Sequence, residues 1–366
     1  MKIAAAVLRG HDAPYAIEDV ELAEPGSQQV RVRVVGVGMC HTDTLPRVPG
    51  LTVGPPLIVG HEGSGVVDAV GEGVTQLEVG DHVVLSFDSC RLCLNCRGGH
   101  PAYCANFFQL NLSGAGDGAP SAVADADGNP IAARWFGQSS FATHVNIAAQ
   151  NAVKVDPELP LELLGPLGCG FLTGAGAVFN SLKVGTGDSI AVFGAGAVGL
   201  SAVMAAAASG ATSIIAVDLH DSRLQVAEQC GATHTVNGAD TRAVRDAIID
   251  ISGDGTQYAL DTTGVPAVIV TAVESLRTTG VCGLVGAQLG DLVLDSMALA
   301  VGRTVTGILE GDATPSLLIP KLLALWKQGR FPFDRLIKTY PFEAINDAET
   351  DSLSGRVIKP VLLPGT

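Results

Sequence analysis

Three observations place this chain in the α/β class, as a β-rich part joined to a doubly wound parallel sheet. The first hundred residues break into short β-type runs divided by glycine and proline. From about Asp188 the texture changes, and buried strands alternate with helices, the pattern of a parallel sheet covered on both faces. The third observation is a knot of four cysteines, Cys90, Cys93, Cys96 and Cys104, within fifteen residues. Four thiolates so spaced can close around one tetrahedral zinc, each about 2.3 Å from the ion. Pairs separated by two residues bridge poorly as disulfides, and nothing else in the chain has a secreted character.

Taken in order, Val30–Val35 alternates with period two and reads as a half-buried strand, with Gly65–Val70 and His82–Leu85 as further strands. The segment 114–133, rich in Gly, Ala and Asp, suits a surface excursion. Ser189–Phe193 then leads as a strand into the helix Ala197–Ser209, followed by strand Ser213–Val217 and helix Ser222–Cys230. Tyr258–Asp261 and Val281–Val285 extend the same sheet. After about Glu310 the rhythm breaks, and Val357–Leu363 reads as an edge strand. No internal repeat is visible.

Composition narrows the function. At 366 residues there is room for two cores. Hydrophobic residues make up 47% and charged ones 16%, a tightly packed globular balance. The net charge of −15 excludes nucleic acid and anionic membrane as partners, since both need a basic face. Met1–Leu8 is too short for a signal-peptide core, and the apolar run 190–208 carries glycines where a strand turns into a helix. A cytoplasmic location is expected.

Gly194-Ala-Gly196-Ala-Val-Gly199 sits between a predicted strand and a predicted helix. The first glycine permits the tight turn, the second lets a pyrophosphate approach the backbone, and the third allows close helix–strand contact. Asp218 ends the next strand, where a carboxylate accepts bonds from an adenosine ribose and repels a 2′-phosphate. NAD is therefore favoured over NADP. Arg223, the nearest arginine, is expected to face outward.

Scattered elsewhere are Cys40, His61 and Cys169. Any one alone reads as an ordinary core residue. Together, two thiolates and one imidazole leave a fourth zinc position open, as in a catalytic site. Six of the eight cysteines thus fall in metal-type contexts, leaving Cys230 and Cys282 as core thiols. The Gly-His-Glu at 60–62, the four-cysteine run, Gly-Cys-Gly-x-x-Thr-Gly at 168–174 and the glycine turn, in this order, resemble the zinc-dependent medium-chain alcohol dehydrogenases over nearly the whole chain. Phe136–Ala142, Leu161–Cys169, Phe193–Met204 and Phe331–Lys338 resemble the aryl-alcohol (benzyl alcohol) branch in particular.

The resemblance implies a GroES-like β-rich catalytic domain over 1–170 and 311–366, carrying the structural zinc lobe, and a Rossmann NAD-binding domain over 171–310. It implies two zincs per chain: a catalytic one on Cys40, His61 and Cys169, and a structural one on the four-cysteine lobe. Glu62 would sit behind the catalytic metal and Asp43 would hold the second nitrogen of His61. Thr42 would bond the substrate hydroxyl and start a proton relay, although its hydroxyl also reads as a simple turn residue. His41 and Lys359 match positions facing the cofactor pyrophosphate, and Thr173 and Val198 positions flanking the nicotinamide. Leu45 stands where some members carry a relay histidine, so the relay must end elsewhere, with His41 as the nearest candidate. Trp135 and Phe136 match substrate-pocket positions, though core packing explains them equally well.

The activity implied is reversible oxidation of a primary aromatic alcohol to its aldehyde by NAD, in a homodimer or homotetramer. An allylic or terpenoid alcohol is the alternative substrate. A thiol-dependent formaldehyde dehydrogenase fits less well, for want of a basic cluster. A nucleotide-binding structural protein that has lost catalysis would lack one of Cys40, His61 and Cys169, and all three are present.

Overall fold

The structure is a computed structural model that describes residues 1–114, 121–288 and 290–364. The excursion at 114–133 lies partly outside the described residues; its described end forms two short strands, Val123–Ala124 and Pro130–Ile131. The chain divides into two compact units. One comprises Met1–Cys169, Thr314–Pro320 and Asp334–Thr366, the other Gly170–Ala313 and Lys321–Phe333. Residues 321–333, expected with the first domain, group with the second unit. Their aromatics explain it: Phe333 lies 5.6 Å from Phe171 and 5.5 Å from Trp326, ring centre to ring centre.

In the first unit the strand Gln29–Gly38 is the spine. Val30, Val32 and Val34 are fully buried and alternate with Arg31 and Arg33, so the period-two pattern sets which face meets the core. This strand pairs antiparallel with Glu62–Val70, His144–Ala148 and Lys359–Leu363. The last of these corrects an expectation. Lys359–Leu363 also pairs with Ile337–Pro341 and so lies inside the sheet, not at its edge. Val361 and Leu362 are both fully buried, as an interior strand covered on both faces requires.

The second unit is built on a six-stranded parallel sheet. Its order is His234–Asn237, Ser213–Asp218, Ser189–Phe193, Thr256–Asp261, Leu276–Leu284, Thr304–Gly307. The winding reverses at Ser189–Phe193, and the crevice beyond the carboxyl end of such a strand is where open α/β sheets bind ligands. The helix Ala197–Ser209 starts at Gly196 and stops at Gly210, a left-handed cap at φ 84°. Cys282 is fully buried in the sheet core beside Ala191, Phe193 and Ala259. Among the described residues, no helix is long and apolar enough to cross a membrane.

Candidate active site and metal centres

The four-cysteine run folds into a lobe whose sulfurs all lie within 4.8 Å of one another, and none is in a disulfide. Cys90 Sγ and Cys96 Sγ are 3.9 Å apart. Donors about 2.3 Å from one tetrahedral ion stand roughly 3.8 Å from each other, so the spacing fits a zinc. Backbone N–H groups point at the sulfurs: Cys90 N at Cys104, Cys93 N at Cys90, Ala105 N at Cys93 and Asn106 N at Cys104, at 3.3–3.5 Å. Such donors favour thiolates. The amide of Ala105 leads in bringing the Cys93 thiol down to about 6, whereas burial pushes Cys96 up to about 12.

The second cluster forms from distant parts of the first unit. Donor atoms of Cys40, His61, Glu62 and Cys169 lie within 4.8 Å of one another, and all but Cys40 are buried. Local chain physics places them. Cys40 caps the short 3₁₀ helix His41–Arg47, and Asp43 three residues on returns its Oδ2 to the Cys40 N–H at 3.1 Å. The other oxygen of Asp43 meets His61 Nδ1 at 2.7 Å and accepts from the Gly60 amide at 3.0 Å. With Nδ1 engaged, Nε2 is the nitrogen left for a ligand, and it is buried with no hydrogen-bond partner. Glu62 is engaged on its own: both of its oxygens accept from Lys359 Nζ, at 2.9 and 2.8 Å.

Electrostatics favour the thiolate form of Cys40 and the charged form of His61, whose extra proton a metal would displace. Hydrogen bonding to Cys169, against the opposing push of burial and with help from His61, holds the Cys40 thiol well below its usual range. Burial opposes a charged His61, yet the Asp43 carboxylate outweighs it and raises the imidazole well above the ordinary value. Burial pushes Glu62 up to about 7 against the pull of Lys359. Three donors, two sulfurs and one nitrogen, thus fit a zinc with a fourth position open. Thr42 stands beside them, its hydroxyl 3.7 Å from Cys40 Sγ, while Leu45 is half-buried and His41 exposed.

In the second unit the glycine turn opens its helix as expected. A β-carbon on Gly199 would lie 1.8 Å from the Gly194 carbonyl, whereas one on Gly196 would meet nothing within 4 Å. The first is helix–strand contact too close for any side chain; the second is the open cradle a pyrophosphate needs. Asp218 accepts from the Ala195 amide at 2.7 Å and from His220 N at 2.9 Å. Val198 lies half-buried in the first helical turn, and Thr173, buried, donates to Glu310 at 3.3 Å.

Comparison with known proteins agrees with this geometry. The model of the alcohol dehydrogenase GroES-like domain matches residues 26–157, and that of the zinc-binding dehydrogenase matches 197–326. The chain belongs to the zinc-binding medium-chain alcohol dehydrogenases. A geraniol dehydrogenase of Castellaniella defragrans is 45% identical over 364 residues, 98% of this chain and 97% of that protein. An alcohol dehydrogenase zinc-binding domain protein of Burkholderia ambifaria has a solved structure with TM-score 0.96 and 50% identity, covering 99% of both chains. The benzyl alcohol dehydrogenase of Acinetobacter calcoaceticus gives 0.93 and 44%, again over 99% of both. The fold is thus a GroES-like domain with a Rossmann domain, and the chain is a zinc-dependent alcohol dehydrogenase.

Within this family setting, the structure gives specific partners to four of the residues singled out by the sequence. Lys359, whose matched position faces the cofactor pyrophosphate, does not point into solvent. It is 2% exposed, and its ammonium donates to Met39 O at 3.0 Å and to both oxygens of Glu62. A carboxylate buried this deeply needs a paired cation, and Lys359 is that cation. Arg223 does not face outward either, since its guanidinium leans on Asp218 at 3.9 Å. Trp135 is fully buried with its indole N–H donated to Asp43 at 3.1 Å, so it is no substrate wall. Phe136, also buried, stacks on the His61 ring with centroids 4.5 Å apart. The sequence reading missed Gln138 altogether. Its Nε2 donates to His61 O at 2.9 Å and its Oε1 accepts from Gly63 N at 3.2 Å; nothing in its spacing signals this.

Proposed function

We propose that this protein oxidises primary aromatic alcohols of the benzyl type to aldehydes with NAD, reversibly, using two zincs per chain. The observation that carries the chemistry is the buried, unpartnered Nε2 of His61 among the sulfurs of Cys40 and Cys169. In this reading those three residues hold the catalytic zinc, and Cys90, Cys93, Cys96 and Cys104 the structural one. Gly194–Gly199, Asp218, Thr173 and Val198 of the second unit take the NAD. When bound, zinc supplies Lewis acidity toward the alcohol oxygen and NAD accepts the hydride from the alcohol carbon.

The chain's own work is placement. Asp43 fixes the His61 tautomer, and Thr42 orients the substrate hydroxyl and accepts its proton. His41, exposed one residue away, passes that proton on where Leu45 offers no base. Glu62 and Lys359 form a closed pair behind the donors. A homodimer or homotetramer in the cytoplasm is the assembly we assign. The aromatic substrate is supported by the likeness to the benzyl alcohol dehydrogenase. The geraniol dehydrogenase, equally similar, favours a second reading, an allylic alcohol. Both substrates place the carbinol beside an unsaturated carbon.

Initial rates of NADH formation with benzyl alcohol, geraniol and a short aliphatic alcohol decide between them. The highest kcat/KM on benzyl alcohol is expected. Preference for geraniol would install the second reading, and preference for the aliphatic alcohol would sink both.

A further inference from the structure

We propose that Trp135 is a positioning residue for the zinc-ligating imidazole, acting through Asp43. The inference rests on the reading of His61 as a metal ligand. Asp43 is 1% exposed and receives four N–H groups: His61 Nδ1 at 2.7 Å, Gly60 N at 3.0 Å and Trp135 Nε1 at 3.1 Å on one oxygen, and Cys40 N at 3.1 Å on the other. Gly60 and Cys40 contribute backbone amides, so among the described residues Trp135 is the one side-chain donor besides His61. An indole N–H has a fixed direction and no acceptor function, which suits it to pin a carboxylate in one orientation.

The segment that carries Trp135 is itself locked. The Trp135 amide donates to Ser139 Oγ at 2.9 Å, and that hydroxyl donates to Ile58 O at 2.6 Å. Phe136 and Ser139 hold left-handed conformations, φ 50° and 54°, unfavourable for residues other than glycine and maintained only where the surroundings over-determine them. The result is a two-sided grip on one imidazole. Phe136 stacks on its face, and Trp135 holds the carboxylate on its edge. Filling space alone would be served by any large apolar ring. The N–H aimed at Asp43 is what distinguishes Trp135.

The test removes that N–H with and without a change of shape. Trp135→Phe is one variant. The other places β-(3-benzothienyl)alanine at position 135, nearly isosteric with tryptophan but lacking the donor. Zinc transfer to a chromophoric chelator is followed for both, together with the visible spectrum of protein carrying cobalt at the catalytic position and the thermal midpoint. Partners that orient a ligating histidine are worth roughly 10–100-fold in metal affinity. Trp135 acts one bond further out, so about tenfold weaker retention of the catalytic zinc is expected in both variants, with a changed cobalt spectrum. If the benzothienyl variant kept wild-type zinc retention and cobalt spectrum, Trp135 would be a space-filling residue and the inference would fail alone. A wild-type chain holding zinc in the cysteine lobe but none at His61 would overturn the metal-ligand reading, and this inference with it.

Discussion

Replacing Asp218 tests how the second unit chooses its cofactor, and the structure sets the size of the effect. The carboxylate accepts two backbone N–H groups, from Ala195 in the glycine turn at 2.7 Å and from His220 at 2.9 Å. Its charge is faced by Arg223, 3.9 Å away. Asp218→Ala therefore loosens the turn, removes the acceptor for ribose hydroxyls and frees a cation, all at once. Hydrogen bonds to a charged group are worth about 1.5–3 kcal/mol, so NAD should lose roughly ten- to a hundredfold in kcat/KM. NADP should gain, because its 2′-phosphate meets Arg223 in place of a carboxylate. Arg223 is partly exposed and screened, which limits that gain to about tenfold.

Asp218→Asn separates the two contributions. Its amide oxygen can still accept from Ala195, so the loss with NAD should be smaller while the gain with NADP persists. Initial rates with both cofactors, at fixed alcohol and with thermal midpoints as a control on folding, read both effects. An unchanged ratio of NAD to NADP activity in both folded variants would refute the reasoning and leave cofactor choice to other residues.

Two further predictions concern the buried centres. Cys169→Ala should abolish turnover and remove one zinc while leaving the melting transition near wild type. Cys96→Ala should lower the melting temperature outright, since a structural zinc contributes folding free energy directly; normal activity in Cys169→Ala would unseat it as a ligand. Lys359→Met should cost about 3–5 kcal/mol by stranding Glu62, and the double variant with Glu62→Gln should recover most of it. The Lys359 pKa lies above its ordinary 10.5, with burial opposing and Glu62 prevailing, so the lysine stays charged below that pH and its contribution fades above it. Glu62, pushed up to about 7 by burial, takes a proton and gives up the ion pair below about that value. A raised KM for NAD without loss of stability would instead assign Lys359 to the pyrophosphate.

The fold was legible wherever burial alone dictates residue choice. The valines of Gln29–Gly38 and the run into Gly194 declare themselves because one face, or both, must be apolar. His234–Asn237 and Thr304–Gly307 escaped notice because they are the outer strands of the parallel sheet, half-exposed and built from polar residues. Leu276–Leu284 showed only its second half for a similar reason, since Arg277, Thr278 and Thr279 are exposed. The metal donors were legible as residue types whose spacing matches zinc chemistry. Direction was not. Adjacent aromatics at 135 and 136 state a volume, and only the left-handed turn at Phe136 sends one ring to His61 and the other to Asp43.

Charge accounting explains why so many donors converge on Asp43. A divalent zinc on two thiolates is neutral, and Glu62 with Lys359 is neutral again, so both groups satisfy the demand that buried charge be paired. Asp43 is then the one negative charge left in the buried cluster once His61 is held neutral as a metal ligand. Among the described residues no lysine or arginine pairs with it, and it depends on oriented dipoles: the amides of Gly60 and Cys40, the imidazole N–H of His61 and the indole N–H of Trp135. Each holds the carboxylate in place as the acceptor for the His61 Nδ1–H, and with the single proton of a neutral imidazole on Nδ1 the Nε2 carries none. On this argument the ring of donors around Asp43 keeps the metal-facing nitrogen free, and it explains why a residue as large as tryptophan is fully buried at 135 with its polar edge turned inward.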